Sequence, residues 1–204
     1  HQPDYSTPLE ETLAAMDQLV RDGKARYVGV SNYASWQICH AMWLCDRRHF
    51  VPVVSVQPMY NLLSRGIEQE LLPLCRAFNL ATMVYNPLAG GLLTGKHRKG
   101  APPADNTRFS LKEMYRDRYW HERLFDAMEQ LRGIAQGAGI SLVELSLKWV
   151  LAQPDVTCLI IGASSMEQLE QNLQASRGTL PEGVAERCDE VWEELRGPIP
   201  QYNR

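Results

Sequence analysis

Thr82-Met83-Val84-Tyr85-Asn86-Pro87-Leu88-Ala89-Gly90-Gly91-Leu92-Leu93-Thr94-Gly95-Lys96 reads as a short apolar strand that ends on an aromatic residue and breaks into a small-residue loop closed by a lysine. Pro87 has no N–H to donate to a sheet ladder, so the strand stops there. Gly90, Gly91 and Gly95 permit backbone conformations and close approaches that other residues forbid. Lys96 adds a point charge where backbone N–H groups can face an anion. A glycine loop alone is a weak signal, because an ordinary strand exit reads the same way. Its neighbours along the chain decide.

Upstream, Thr7-Pro8-x-Glu10 reads as a cap, a first-turn proline and a capping box. Leu9, Leu13, Met16 and Val20 then recur at helical spacing, and Gly23 ends the helix. A β-rich run at 27–31 follows, with a helix at 36–47 opened by Ser35. Between Pro52 and Pro58 lies a second strand, 53–57. Ile67, Leu71, Leu74, Cys75 and Phe78 mark a third helix, which leads into the strand at 80–85. Downstream of the loop, a long polar stretch at about 97–120 with Pro102-Pro103 reads as a surface insertion. Helices at 121–137 and 142–152, the latter capped by Ser141, precede a fourth strand at 157–161. Gly162-Ala163-Ser164-Ser165 opens onto a helix at 166–175, and a last amphipathic helix spans 183–195.

Strands alternating with helices, without hairpin signals, predict parallel strands with right-handed helical crossovers. The short apolar strands suit a sheet covered on both faces. Two architectures satisfy this pattern, an open doubly wound sheet and half of an eight-stranded β/α barrel. The open nucleotide-binding sheet carries G-x-G-x-x-G after its first strand, and the chain has none. Barrels place phosphate sites in the loops after their last two strands. The 90–96 loop and the 162–165 turn stand there, so a barrel is expected.

The 204 residues, 45% of them hydrophobic, suffice for a substantial core, and a net charge of −3 advertises no nucleic acid. The five cysteines are dispersed without a C-x-x-C pair. That pattern predicts reduced thiols and a cytoplasmic location, not a disulfide framework. No apolar run approaches a membrane span and no signal peptide is recognisable, so no membrane partner is expected. The histidines at 40, 49, 97 and 121 lack metal-ligand spacing and read as structural or surface groups, with no metal site.

Taken together, His1-x-Pro3-Asp4, Gly23-Lys24-x-Arg26-Tyr27-x-Gly29-x-Ser31-Asn32, Gln57-Pro58-x-Tyr60-Asn61, the 85–96 loop and Gly162-Ala163-Ser164-Ser165-x-x-Gln168-Leu169-x-x-Asn172 resemble the aldo-keto reductases. The loop looks most like the aflatoxin-aldehyde-reductase and potassium-channel β-subunit branches. The resemblance implies an α/β fold of the (β/α)8 TIM-barrel type, binding NADP(H) across the C-terminal face. It implies that residues 1–204 form a single domain supplying the second half of that barrel, strands 5–8 and their helices. The chain begins at His1 and not Met, which is expected if something was removed or if it is part of a longer protein. The family's catalytic Asp, Tyr and Lys come from the first half, so here only the catalytic His1 remains and the chain alone is expected to be inactive.

The resemblance also distributes roles. Ser31, Asn32 and Gln57 match residues that hydrogen-bond the nicotinamide carboxamide, and Tyr85 matches the aromatic that stacks on the nicotinamide. Asn86, Pro87, Leu88, Gly90, Leu92 and Lys96 match the pyrophosphate loop. Gly162, Ser164, Gln168, Gln171 and Asn172 match the phosphate and adenosine end, at or near a helix N-terminus that favours a phosphate. One departure stands out. Many relatives carry a lysine and an arginine around the 2′-phosphate at the positions of Gly162 and Gln168, and neither charge is present. Ser164, the helix N-terminus and Arg108 in the insertion are candidate substitutes. NADP(H) is therefore expected with a weakened preference, and NAD(H) stays open.

The implied function is reduction of an aldehyde or ketone to an alcohol by hydride transfer, with a small-molecule carbonyl compound as substrate and His1 helping to orient it. The alternative is an NADP-binding regulatory subunit resembling the potassium-channel β subunits. Homo-oligomerisation stays open, since half of a barrel leaves sheet edges unpaired.

Overall fold

The computed structural model describes residues 1–198. Their elements follow the alternation read from the sequence, with α1 (Leu9–Arg21), β1 (Val28–Ser31), α2 (Ser35–Arg48), β2 (Val53–Gln57), α3 (Leu71–Phe78) and β3 (Ala81–Tyr85). A 3-10 segment, Ala89–Thr94, broken by non-helical backbone at Gly90 and Gly91, occupies the glycine loop. Then come α4 (Arg108–Leu111), α5 (Glu113–Tyr119), α6 (Glu122–Gly137), α7 (Leu142–Leu151), β4 (Cys158–Ile160), α8 (Met166–Ala175) and α9 (Val184–Arg196). The strands form one sheet in the order β1-β2-β3-β4, and the β1/β2 and β2/β3 pairs are parallel. Thr157 N donates to Thr82 O at 2.9 Å, and Thr82 N donates to Thr157 Oγ1 at 3.0 Å, beside β4.

The residues fall into two compact units. The first comprises 1–59, 66–85 and 154–159, and the second comprises 60–65, 86–153 and, among the described residues, 160–198. In the first, α1 and α2 bury Leu13, Ala41, Leu44 and Cys45 against Val28 and Val53. Ile38, Val56, Leu71, Cys75 and Leu80 make a second cluster. Asp17, 6% exposed, ties α1 to the loop before β2 by accepting from Val51 N at 2.8 Å. The hydrogen bonds from Arg21 and Val51 hold its carboxyl below the usual carboxylate range.

Local departures have physical reasons. Thr7 does not cap α1, because its Oγ1 donates to Asp4 Oδ2 at 2.7 Å and Pro8 takes the cap position. Glu10 pairs with Arg48 instead of closing a capping box. Met16, expected on the buried face of α1, is exposed. By contrast, Ser141 caps α7 as expected, accepting from Glu144 N at 3.1 Å.

Gly29 in β1 is required by close approach. A Cβ there would lie 2.3 Å from Ser55 Oγ and 3.2 Å from Ser55 O on β2. Gly29→Ala should therefore destabilise the first unit by about 1–3 kcal/mol, the scale of overpacking. Urea denaturation would read the loss, and Ser55→Ala in the same chain should restore part of it.

The second unit is built on α6, α7 and α9. Trp149 is fully buried, with its ring 5.2 Å from Tyr60 and the Arg65 guanidinium 4.6 Å from its centroid. Arg65 also lies 5.8 Å from the Trp192 ring and pairs with Asp189 at 2.7 Å. Burial pushes the nearby Cys188 thiol up to about 12, so it is inert as a nucleophile. The insertion is mostly exposed, as its polarity predicts, yet it folds into α4 and α5 and buries Phe109 and Tyr119. Thr107 caps α4, its side chain accepting from Ser110 N. Among the described residues no single helix is long and apolar enough to cross a membrane.

Candidate functional site

In the first unit the C-terminal ends of β1, β2 and β3 carry a connected polar group, where parallel α/β sheets place their ligands. Ser31 Oγ donates to Gln57 O at 2.8 Å, joining β1 to β2. Asn32 adopts φ 60, a left-handed conformation that asparagine tolerates better than most residues. Its Nδ2 donates to Ser31 Oγ at 3.1 Å and to His1 O at 3.2 Å. Its Oδ1 accepts from Tyr85 Oη at 2.8 Å, which fixes the direction of the half-buried Tyr85 ring. The structure thus brings together His1, Ser31, Asn32, Gln57 and Tyr85. The His1 residue is exposed, and the Gln57 amide is half-buried at the end of β2.

The second unit holds the glycine loop and the turn before α8. Asn86, Ala89, Gly90, Gly91 and Gly95 all have positive φ, which the glycines adopt freely and which strains the backbone at Ala89. Gly91 N donates to Leu88 O at 2.8 Å, and Thr94 Oγ1 donates to Gly91 O at 2.7 Å. Pro87 and Leu92 are buried and Leu88 is half-buried, so the loop has an apolar underside. Lys96 is exposed, its Cε 3.9 Å from where a Gly91 Cβ would stand. The Asn86 side chain is consumed inside the loop. Its Oδ1 accepts from Gly90 N at 2.7 Å and its Nδ2 donates to Tyr119 Oη at 2.9 Å.

At the turn, Ser165 caps α8, accepting from Gln168 N at 3.2 Å. Gln168 Oε1 accepts from Ser164 N at 3.1 Å and from Ser164 Oγ at 3.0 Å. Gln171 Nε2 donates to Glu167 Oε1 at 3.4 Å. Asn172 is buried and its Nδ2 donates to Gly162 O at 3.5 Å. Arg108 stands against this turn. Its Nη2 would be 3.3 Å from a Cβ on Gly162, and its guanidinium lies 5.6 Å from the Tyr115 ring centroid. The insertion therefore places a cation beside Gly162.

Two features were not legible beforehand. Tyr119 and Asn61 join the buried network around Asn86, although they lie 58 residues apart. His97, next to Lys96, is buried in edge-on contact with Phe109 at 5.0 Å and Trp120 at 5.1 Å. Its Nε2 has no hydrogen-bond partner among the described residues. Burial, and then the Lys96 charge, pull its pKa below the ordinary histidine value. The folded state thus favours neutral His97. Its stabilisation is full above the unfolded pKa, about 6.5, and is lost as pH falls toward the folded value. Melting temperature should drop on acidification below that pH, and the drop should shrink in His97→Phe. Among the described residues no group of three or more His, Cys, Asp and Glu side chains is placed to hold a metal ion.

Comparison with known proteins places these features in a family. The model of the aldo/keto reductase family matches residues 1–193. Human aldo-keto reductase family 7 member A3 is 38% identical over all of this chain and 66% of its own length. Aflatoxin B1 aldehyde reductase member 2 of Mus musculus is 38% identical, again over all of this chain and 60% of its own length. A probable voltage-gated potassium channel subunit beta of Oryza sativa subsp. japonica is 38% identical over 86% of the chain and 54% of its own length. The chain thus spans about three-fifths to two-thirds of the length of the first two relatives. With the family model covering nearly the whole chain, and with a parallel α/β sheet whose strand ends carry the motif residues, the chain belongs to the aldo/keto reductase family.

Proposed function

We propose that this chain is the cofactor-holding part of an NADP(H)-dependent reductase of aldehydes and ketones, and that its strands are the second half of a (β/α)8 barrel. The observation that carries the reading is Arg108 standing 3.3 Å from the Cβ position of Gly162. A phosphate-directed cation is thereby restored from another part of the chain. The aldehyde reductase name of the mouse relative and the aldo-keto reductase name of the human one support oxidoreduction of a carbonyl compound.

Each group of residues fits its role chemically. Ser31, Asn32 and Gln57 offer the paired donors and acceptors that a carboxamide needs. Tyr85, steadied by Asn32, offers an aromatic face for stacking. The loop offers strained backbone over an apolar base, with Lys96 exposed beside it. Ser164, Gln168 and the start of α8 offer polar groups and a helix N-terminus for phosphate, and Gln171 and Asn172 lie along the same helix. When bound, the nicotinamide supplies the hydride chemistry. His1, at the strand ends, orients the carbonyl by hydrogen bonding. In this reading the Asp, Tyr and Lys that complete the family's set come from the first half of the barrel, and turnover is to be measured on a protein that carries them. The rice channel-subunit relative supports a second reading, an NADP-binding regulatory subunit. Binding without aldehyde turnover in that whole protein would favour it.

The test is Arg108→Ala. A hydrogen bond to a charged group contributes about 1.5–3 kcal/mol, so the NADPH dissociation constant should rise roughly tenfold or more while that of NADH barely moves. Equal weakening of both would remove Arg108 from the 2′-phosphate, and no change in either would remove it from the site.

A further inference from the structure

The geometry points to Tyr119, a residue outside every recognised motif, as the positioning residue of the glycine loop. Tyr119 is 1% exposed at the end of α5, and its Oη accepts from Asn61 Nδ2 at 3.0 Å and from Asn86 Nδ2 at 2.9 Å. Asn61 Nδ2 also donates to Asn86 O at 3.0 Å, and Asn61 Oδ1 accepts from Leu63 N at 3.0 Å. Asn86, held by its backbone oxygen and its amide, presents Oδ1 to Gly90 N at 2.7 Å. These bonds link the phenol to the loop in series. The phenol and Asn61 fix Asn86, Asn86 fixes the Gly90 N–H, and Gly90 begins the run of left-handed glycines that shapes the loop. Both asparagines are almost completely buried, at 0% and 7% exposure, so water cannot replace a lost partner without cost.

Tyr119 sits on the insertion, so that segment does more than cover the surface. Its ring stays in the core while its hydroxyl sets a loop on a different element. In the cofactor reading, which the binding arm of the test rests on, this preorganises the loop before any dinucleotide arrives. A preformed anion loop binds more tightly because less ordering remains to be done.

Tyr119→Phe keeps the ring and removes the shared acceptor. In the ligand-free full chain, hydrogen exchange at the Gly90 amide should accelerate roughly tenfold, the scale of one lost buried hydrogen bond. NADPH should bind roughly tenfold more weakly. Val191→Ala, a core truncation on α9 far from the network in sequence, controls for general loss of stability and should leave Gly90 exchange unchanged relative to global unfolding. Asn86→Gly removes the side chain while keeping a residue suited to positive φ. On that background Tyr119→Phe should add less than about threefold to the NADPH dissociation constant, because the path through Asn86 is already cut. Unchanged Gly90 exchange in Tyr119→Phe, or an undiminished effect of Tyr119→Phe on the Asn86→Gly background, overturns the assignment. A parent chain that binds no NADPH defeats the cofactor reading, while the exchange result still decides whether Tyr119 sets the loop.

Discussion

Trp149→Ala should destabilise the second unit by about 3–5 kcal/mol, the cost of truncating a large, fully buried aromatic. Trp149 is 0% exposed and carries two neighbours that would lose their packing surface, the Tyr60 ring at 5.2 Å and the Arg65 guanidinium at 4.6 Å. Trp149→Phe should cost much less. The phenyl ring keeps most of the contact, and Trp149 Nε1 has no hydrogen-bond partner among the described residues to lose. Urea denaturation followed by circular dichroism would rank the two variants. Similar losses for both would mean that the indole is held by a bond and not by packing.

Gly90→Ala should disturb the loop by about 2–4 kcal/mol, combining left-handed backbone strain with overpacking. Gly90 has φ +70, and a Cβ there would meet Tyr115 Cδ1 at 2.8 Å and Phe109 Cζ at 3.4 Å. The insertion's aromatic residues leave no room, so the loop must shift or α4 and α5 must move away from it. Gly133, inside α6, has no atom of another element within 4 Å of its Cβ position among the described residues and no positive φ. Gly133→Ala should therefore stabilise by about 0.5–1 kcal/mol through helix propensity. Opposite signs for the two glycines would confirm that backbone angle and space, not glycine content, control this unit.

Much of this architecture could be read from residue order alone, because the signals were local. The span of α8 and the strand at 53–57 matched the expectation, since Ser165 and the flanking prolines mark their ends chemically. The strand-end residues could be placed by the resemblance, and the structure groups His1, Ser31, Asn32, Gln57 and Tyr85 by hydrogen bonds. What escaped the sequence was non-local. The insertion's polar average hid Phe109 and Tyr119, whose burial depends on elements distant in the chain. Thr107 and the following Ser110 were the available helix signal. Thr7 offered a capping motif, but Asp4 competes for its hydroxyl. Arg108 could be nominated for the turn at Gly162 from the missing charges there, but no spacing rule could join Asn61 to Tyr119 before the chain was folded.

The most direct test of the cofactor reading is a calorimetric titration of the chain with NADPH at low and at high salt. The account predicts saturable binding of one dinucleotide per chain, weaker at high salt because exposed Lys96 and Arg108 supply part of the attraction. Absence of saturable binding at millimolar NADPH in low salt, with the chain folded, would contradict it.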